Sequence, residues 1–525
     1  MSYCNNQLIN AAINKANKLV NFNIYNDIHK RYEFKKQTIL SDESLTEKEK
    51  SEAIGLLTKT YDADKIRLNE GTKRICEDCN QKCLATAYCE HCIRNYLKAN
   101  FSNWTSENDN VNNLIQECQM KVIAPHLIPE WIPYDNFQSI RYLTKGGCSE
   151  IYTAIWNDGH FIEWDSKKRQ LKRIGNQWIV LKRLKNVENA NQSWFQEAKS
   201  HLIISNKHSN VVQYYGLTRD PSNGNYMLVM QYMNKGLRKH LQQNHKQLKW
   251  KEKIQIAVDI IEALLRVHAE KAIHKDLHSG NILFKARFYI SDLGFSGPAD
   301  KPLKSIYGNL PYIAPEVIVE KKYTFKSDIY SIAMLMWEIS SGQAPFINYE
   351  HNYNLAMDIV NGMRPKIVSG TPLEYENLMK ICWDADPSKR LDINTLLGKM
   401  DRLNLSYQNR PNELSELEVD DLEIDNFTSS NSSMFTSKLY QFENLPKPKN
   451  ATKEELKAFY SRSPNFYNVD LSNQKNNTSE ISRNNWKNST SEISKSNQKN
   501  EEDIYNNPNL HSEAELIEFE LPKDF

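Results

Sequence analysis

No apolar run in the chain approaches the roughly 18 to 20 residues needed to cross a bilayer. The longest candidate, 329–339, is interrupted by Tyr330, Ser331 and Glu338. The N-terminal stretch MSYCNNQLINAAINKANKLV has no basic segment followed by an apolar core. No secretory leader and no membrane partner are therefore expected, and a cytoplasmic location is, with the nucleus left open. Glycine and proline are scarce, 17 and 18 among 525 residues, which excludes collagen-like and elastic sequence. An excess of either charge is also missing. The 67 Lys and Arg against 65 Asp and Glu leave a net charge of +2, so nothing global draws the chain to nucleic acid or an anionic surface. Nine cysteines in a leaderless chain argue against a disulfide scaffold and for thiols or metal ligands.

The length predicts about three to four folding units. Residues 1–70 carry apolar side chains at helical spacing, as in Leu8, Ile9, Ala12, Ile13 and Ala16. Ser44-Leu-Thr-Glu47 reads as a capping box opening a further helix, so a helical hairpin or small bundle is expected here. A Cys-rich module over 71–100 and a linker with a helix over 101–133 follow. From 134 to 404 the pattern becomes strands first, then long helices with buried faces, the largest unit of the chain. Beyond it, 405–525 is rich in Asn, Ser, Glu and Lys. Thr478-Ser-Glu-Ile-Ser482 recurs there as Thr490-Ser-Glu-Ile-Ser494. So polar a repeat buries too little surface to offset ordering entropy, so this tail is expected to be mostly disordered, with transient docking of 439–445 left open.

Six signals stand in order in the largest unit. The first is the turn of Gly146 and Gly147 between Leu143 and Ile151, whose small residues let backbone N–H groups approach phosphate; alone it reads more readily as a plain hairpin. The second is Trp178-Ile-Val-Leu-Lys182, a β-rich run ending in a lysine, and the third is Glu197 in a helical pattern, able to supply that lysine's counter-charge. The fourth, His274-Lys-Asp-Leu-His-Ser-Gly-Asn281, sets Asp276 and Asn281 on one loop, where one can accept a hydroxyl proton and the other ligate a hard cation. The fifth, Ile290-Ser-Asp-Leu-Gly294, adds the carboxylate of Asp292, and carboxylate plus amide oxygen suits Mg²⁺. The sixth is Gly308-Asn-Leu-Pro-Tyr-Ile-Ala-Pro-Glu316 with Ser327-Asp-Ile-Tyr330 and Asp386-Pro-Ser-Lys-Arg390.

In this order the set resembles the eukaryotic protein kinase family over about half of the chain. Within it the segment looks most like the tyrosine-kinase-like group, through the 274–281 motif and Ile381-Cys-Trp383. The wider arrangement is similar to kinase-like proteins with an N-terminal Cys-rich module from mycorrhizal fungi. The resemblance implies an α+β, bilobal kinase fold, with a small antiparallel-sheet lobe and a large helical lobe. It implies ATP and Mg²⁺ as cofactors, with Gly146 and Gly147 covering the phosphates and Lys182 holding them while paired to Glu197. It implies Asp276 as the group that orients the acceptor hydroxyl and takes its proton, and Asn281 and Asp292 as Mg²⁺ ligands. Met230 would lie at the back of the adenine slot, with the backbone of Gln231 to Met233 at the adenine edge. Glu316 is expected to pair with Arg390, and Asp328 to brace the loop around Asp276.

The chain departs from the family pattern in places. Thr144 and Ser149 replace the outer glycines of the phosphate loop, Lys275 replaces an arginine, and Leu293 replaces a phenylalanine. His278 and Asn309 stand where many serine/threonine kinases carry lysine and threonine. Ser296, Ser305 and Tyr307 are equally readable as regulatory phosphosites or solvated loop residues. Cys148 reads as an exposed, inert thiol before a redox switch.

Cys76-x₂-Cys79 and Cys89-x₂-Cys92 form two thiolate hooks, which together suit a tetrahedral Zn²⁺ site of structural type. Cys83 and His91 remain further candidate ligands. The reading favoured is a protein kinase that transfers the ATP γ-phosphoryl to a protein hydroxyl, serine or threonine before tyrosine, in intracellular signalling. The alternatives are a catalytically weak pseudokinase scaffold and a zinc-dependent partner-binding protein. The partner expected is a protein substrate; nucleic acid is disfavoured because no basic-aromatic patch surrounds the cysteines.

Overall fold

The computed structural model describes residues 2–20, 24–145, 149–184, 192–293, 305–409 and 436–462. Three helices open the chain, Ser2–Lys18, Ile28–Leu40 and Glu47–Leu68, and they close around Ile9, Ala12, Ile39, Ala53 and Leu57. The third helix begins as a capping box, but two residues later than the sequence suggested. Thr46 is the cap: its backbone N–H donates to the Glu49 carboxylate, and the Glu49 N–H donates back to the Thr46 hydroxyl. Ser44 is unavailable because its hydroxyl donates to Asp42, 2.6 Å away.

The smaller lobe is built on a six-stranded sheet in the order Glu130–Trp131, Tyr214–Arg219, Tyr226–Gln231, Gln177–Leu184, Ser149–Trp156 and Phe137–Lys145. Five strands run antiparallel, as expected. The sixth, Glu130–Trp131, lies parallel to Tyr214–Arg219 and makes the sheet mixed. Gly216 permits this, because a Cβ there would fall 1.8 Å from the Glu130 carbonyl oxygen. The helix Asp109–Met120 seals the lobe from behind by burying Val111, Leu114 and Ile115 against Ala198 and Leu202 of the helix Gln192–Ser205.

The larger lobe is helical. Trp250–Ala269, Phe325–Ser341, Leu373–Cys382 and Ile393–Gln408 share one core, in which nearly every residue of Phe325–Ser341 is buried. A helix buried on all sides needs its polar groups matched. Arg390, fully buried, donates two hydrogen bonds of 2.7 Å to the two Glu316 oxygens and further ones to the carbonyls of Lys326 and Asp384, both 2.8 Å.

The structure departs from the expected tail at 436–462. There a strand, Lys438–Tyr440, pairs antiparallel with Ile306–Gly308, and a helix, Lys453–Arg462, follows. Tyr440 and Phe442 enter the core of the large lobe, and Phe459 stacks on Tyr349. The polar average of 405–525 hides these aromatic anchors. Gly362 leaves the path open, since a Cβ there would sit 2.2 Å from the Ala451 nitrogen. The repeat at 478–494 lies outside the described residues.

Candidate active site

Lys182 lies on a central strand, between Ile151 and Leu228 in register, and is buried. Its ammonium sits 2.5 Å from Oδ1 of Asp292, across the cleft between the lobes. Burial works to raise the Asp292 pKa, but the Lys182 charge, with His201 behind it, outweighs that and holds the carboxyl at about 2. Cation faces anion here. A nucleotide phosphate entering between them would find the ammonium on one side, and a cation the carboxylate on the other. Glu197, the expected partner of Lys182, lies on the helix Gln192–Ser205, but its side chain is outside the described set. Gly146, Gly147, Cys148 and Ser296 also lie outside the described residues.

The loop carrying Asp276 is fixed by one carboxylate. Asp328 accepts hydrogen bonds from the backbone N–H of His274 at 2.8 Å and of Lys275 at 3.1 Å, and its Oδ2 lies 2.9 Å from Nε2 of His268. These contacts sustain the left-handed backbone of Lys275, φ 70°, which a side-chain-bearing residue rarely adopts unaided. Asn281 donates its amide N–H to the Asp276 carbonyl at 2.9 Å, so its amide oxygen is the atom it can offer a cation. Ser291 in turn bonds the Asn281 carbonyl twice, N–H at 2.8 Å and hydroxyl at 3.0 Å, which keeps Asn281 and Asp292 on adjacent turns.

Asp276 is buried. Burial raises its pKa, but His278 and the Ser437 hydroxyl outweigh it and hold the carboxyl below the ordinary carboxylate range, as an acceptor. The Asn309 N–H also points at Oδ1, 3.3 Å away. The apolar side of the cleft is made by Val180, Met230, Met233 and Leu283, which belong to one cluster spanning both lobes and suit a flat heterocycle. Met230 is buried at the end of its strand, and Gln231 donates its backbone N–H to Gln213. Val180 stands in the motif that ends at Lys182 and Leu283 two residues beyond Asn281, but only the closing of the lobes shows that they share one slot. Ser437 was missed altogether.

Thr144 and Ser149, the replaced glycines, both lie in ordinary extended strands, so neither substitution strains the backbone. Leu293 is fully buried in the large-lobe core. Ser305 is buried too, which makes it a poor solvent-facing phosphosite in this conformation.

Two oxygen-bearing side chains and a buried lysine meeting in the cleft of a two-lobed, sheet-over-helix domain define a protein-kinase-type domain. Family comparison agrees: the protein tyrosine and serine/threonine kinase family matches residues 137–400, just over half of the chain, and the chain belongs to it. Receptor-interacting serine/threonine-protein kinase 1 of Homo sapiens is 34% identical over 38% of this chain and 33% of its own length. Serine/threonine-protein kinase STY17 of Arabidopsis thaliana is 28% identical over 43% and 41%, and dual specificity protein kinase zakA of Dictyostelium discoideum 29% over 41% and 31%. The match thus spans less than half of each relative.

A second cluster stands apart. The Sγ atoms of Cys76, Cys79, Cys89 and Cys92 all lie within 4.8 Å of one another. The Cys76–Cys92 and Cys79–Cys89 separations are 3.7 and 3.6 Å. A tetrahedral site with Zn–S bonds of about 2.3 Å requires sulfurs about 3.8 Å apart, so the residues present fit the metal. Burial raises the Cys76 thiol, but the N–H groups of Cys79 and Asp78 outweigh it and bring it down to about 7. Cys83 groups instead with Cys89 and Glu90, and His91 is turned to the Lys82 carbonyl.

The cysteine module is held to the first helical unit by apolar packing of Ala63 and Ile66 with Ala85 and Tyr88 and by one buried carboxylate. Asp62, fully buried, pairs with Lys65 at 2.7 Å and accepts the backbone N–H groups of Thr86 and Ala87 at 2.9 and 2.8 Å. Asp62→Ala would leave the buried Lys65 ammonium unmatched and free the N–H groups of the exposed Thr86 and Ala87, and is expected to cost about 3 kcal/mol, most of it from the stranded charge. Hydrogen exchange at Thr86 and Ala87 should rise and the urea midpoint should fall; unchanged protection would refute the role.

Proposed function

We propose that the chain is an active ATP-dependent protein kinase that modifies serine or threonine, acts in signalling inside the cell, and carries a structural zinc module. The observation that carries the reading is the convergence of Lys182, Asp276, Asn281 and Asp292 on one cleft with an apolar slot beside it. Lys182 would hold the nucleotide phosphates, and Asn281 and Asp292 would hold Mg²⁺. When bound, the metal neutralises charge on those phosphates. Asp276 orients the acceptor hydroxyl and takes its proton, and its depressed pKa keeps it ready to accept. Because the side chains are fixed beforehand by Asp328, Ser291 and the sheet, little reorganisation is left for the reaction itself.

The placement in the tyrosine-kinase-like group, alongside fungal kinase-like proteins with a Cys-rich module, belongs to the same proposal. It is supported by the 274–281 motif and by the cysteine cluster next to the kinase domain. Unbonded, closely spaced thiols also suit the reducing cell interior.

The test is transfer of label from Mg-ATP to casein by the purified full chain, with phosphoamino-acid analysis. Phosphoserine or phosphothreonine is the expected product. Incorporation no greater than that of an Asp276→Asn chain would overturn the reading. For the module, metal analysis should find about one zinc per chain, and Cys76→Ser should lose it. Stripping the metal should expose 74–97 to protease; a metal-free chain with the same protection would refute the zinc assignment.

A further inference from the structure

The segment 436–462 reaches the reaction centre. Ser437 Oγ lies 2.8 Å from Oδ1 of Asp276 and 3.1 Å from Nε2 of His278, and Ser437 is buried. The hydrogen-bond pattern sets the proton positions. Nδ1 of His278 accepts from the Gly280 N–H at 3.1 Å, so in the neutral ring the proton sits on Nε2. That N–H then donates to Ser437 Oγ, and the hydroxyl donates to Asp276. One lone pair of Oγ remains, on an oxygen whose proton is already aimed at a carboxylate. This is the arrangement required of an acceptor alcohol.

The approach is not a chance touch. Lys438, Leu439 and Tyr440 pair in antiparallel register with Gly308, Tyr307 and Ile306. Tyr440 and Phe442 stack at 5.5 Å and are buried in the large lobe, and Lys321 Nζ donates to the Phe442 carbonyl at 2.9 Å. Further on, Asn450 bridges Ala385 N–H and Asp384, and the Tyr460 hydroxyl donates to the Arg364 carbonyl. Strand addition with aromatic anchors is how a folded domain holds an extended peptide, with main-chain bonds fixing register and pockets fixing position.

We propose that 436–462 is this kinase's own built-in substrate: Ser437 accepts a phosphoryl group in cis, and until it does, the strand Lys438–Tyr440 closes the groove to other proteins. The inference rests on the kinase reading above. In the step, Ser437 Oγ bonds to the γ-phosphorus of ATP as the bond from that phosphorus to the β,γ-bridging oxygen breaks. ADP leaves and the hydroxyl proton passes to Asp276. The product sets a phosphate beside the Asp276 carboxylate in a buried site, and like charges at that range repel. The strand is then driven out while Asn450 and the Lys453–Arg462 helix keep the segment attached, and the groove opens.

The experiment uses the full chain with Mg-ATP, phosphopeptide mapping and casein as the external acceptor. Ser437 should be phosphorylated at a rate independent of chain concentration, and Ser437 of a tagged Asp276→Asn chain mixed with active chain should stay bare. Casein phosphorylation should begin with a lag that preincubation with ATP removes. A Tyr440→Ala, Phe442→Ala double variant, which frees the strand without touching the cleft, should show no lag. Its apparent KM for casein should be roughly tenfold lower than that of the parent measured within the lag, because until Ser437 is phosphorylated a tethered competitor acts at an effective concentration of order mM. Casein labelled while Ser437 stays bare would overturn this inference and leave the kinase reading intact, as would labelling of Ser437 only in trans. A double variant with unchanged lag and KM would overturn closure of the groove. A chain that labels neither acceptor would overturn both readings.

Discussion

Asp276→Asn is expected to lower phosphoryl transfer to casein by about 10² to 10⁴-fold, the range a positioned general base contributes. The amide keeps the size of the carboxylate and can still meet the Asn309 N–H, so the loop held by Asp328 should keep its shape. What it loses is the ability to take the hydroxyl proton. Nucleotide affinity should be nearly unchanged, because the phosphates fall to Lys182 and the metal to Asn281 and Asp292, so the loss should appear in kcat and not in the KM for ATP. Steady-state kinetics with both substrates varied would check this. Equal incorporation by the two chains would remove Asp276 from the reaction.

Arg390→Met is expected to destabilise the large lobe by about 3 to 5 kcal/mol, the cost of leaving one partner of a buried ion pair alone. The guanidinium is fully buried, and its bonds to Glu316, Lys326 and Asp384 tie three separate segments together. Methionine fills similar volume without any of these donors, so the penalty is the stranded Glu316 carboxylate more than a cavity. The unfolding midpoint should fall by roughly 10 °C, followed by calorimetry. The double variant Arg390→Met, Glu316→Gln should recover part of the loss, since no charge is then left unpaired. If the single variant melts within a degree or two of the parent, the pair is not what holds these segments.

Much of the site was readable before any coordinates because it is local. Asp276 and Asn281 sit on one short loop, and the two CxxC hooks each present their sulfurs from a single turn. Lys182 and Asp292 are 110 positions apart, and nothing in their spacing brings them together; the family resemblance alone anticipated that they share a site. The capping box slipped by two residues because two overlapping patterns compete, and the winner depends on Asp42 claiming Ser44. The parallel sixth strand was invisible because two residues, Glu130 and Trp131, carry no periodicity of their own, and only the missing Cβ of Gly216 lets them dock.

The amino-acid order alone determined the family, the order of the lobes, the loop chemistry around Asp276 and the four sulfurs of the cysteine module, because each is written in residue types at short, fixed separations. Only the folded chain decided that Ser437, one serine in a long polar stretch, lies against Asp276 across 161 positions. Such a contact depends on surfaces formed by remote segments, the edge at Ile306–Gly308 and the openings left for Tyr440 and Phe442. These surfaces do not exist until the large lobe has packed.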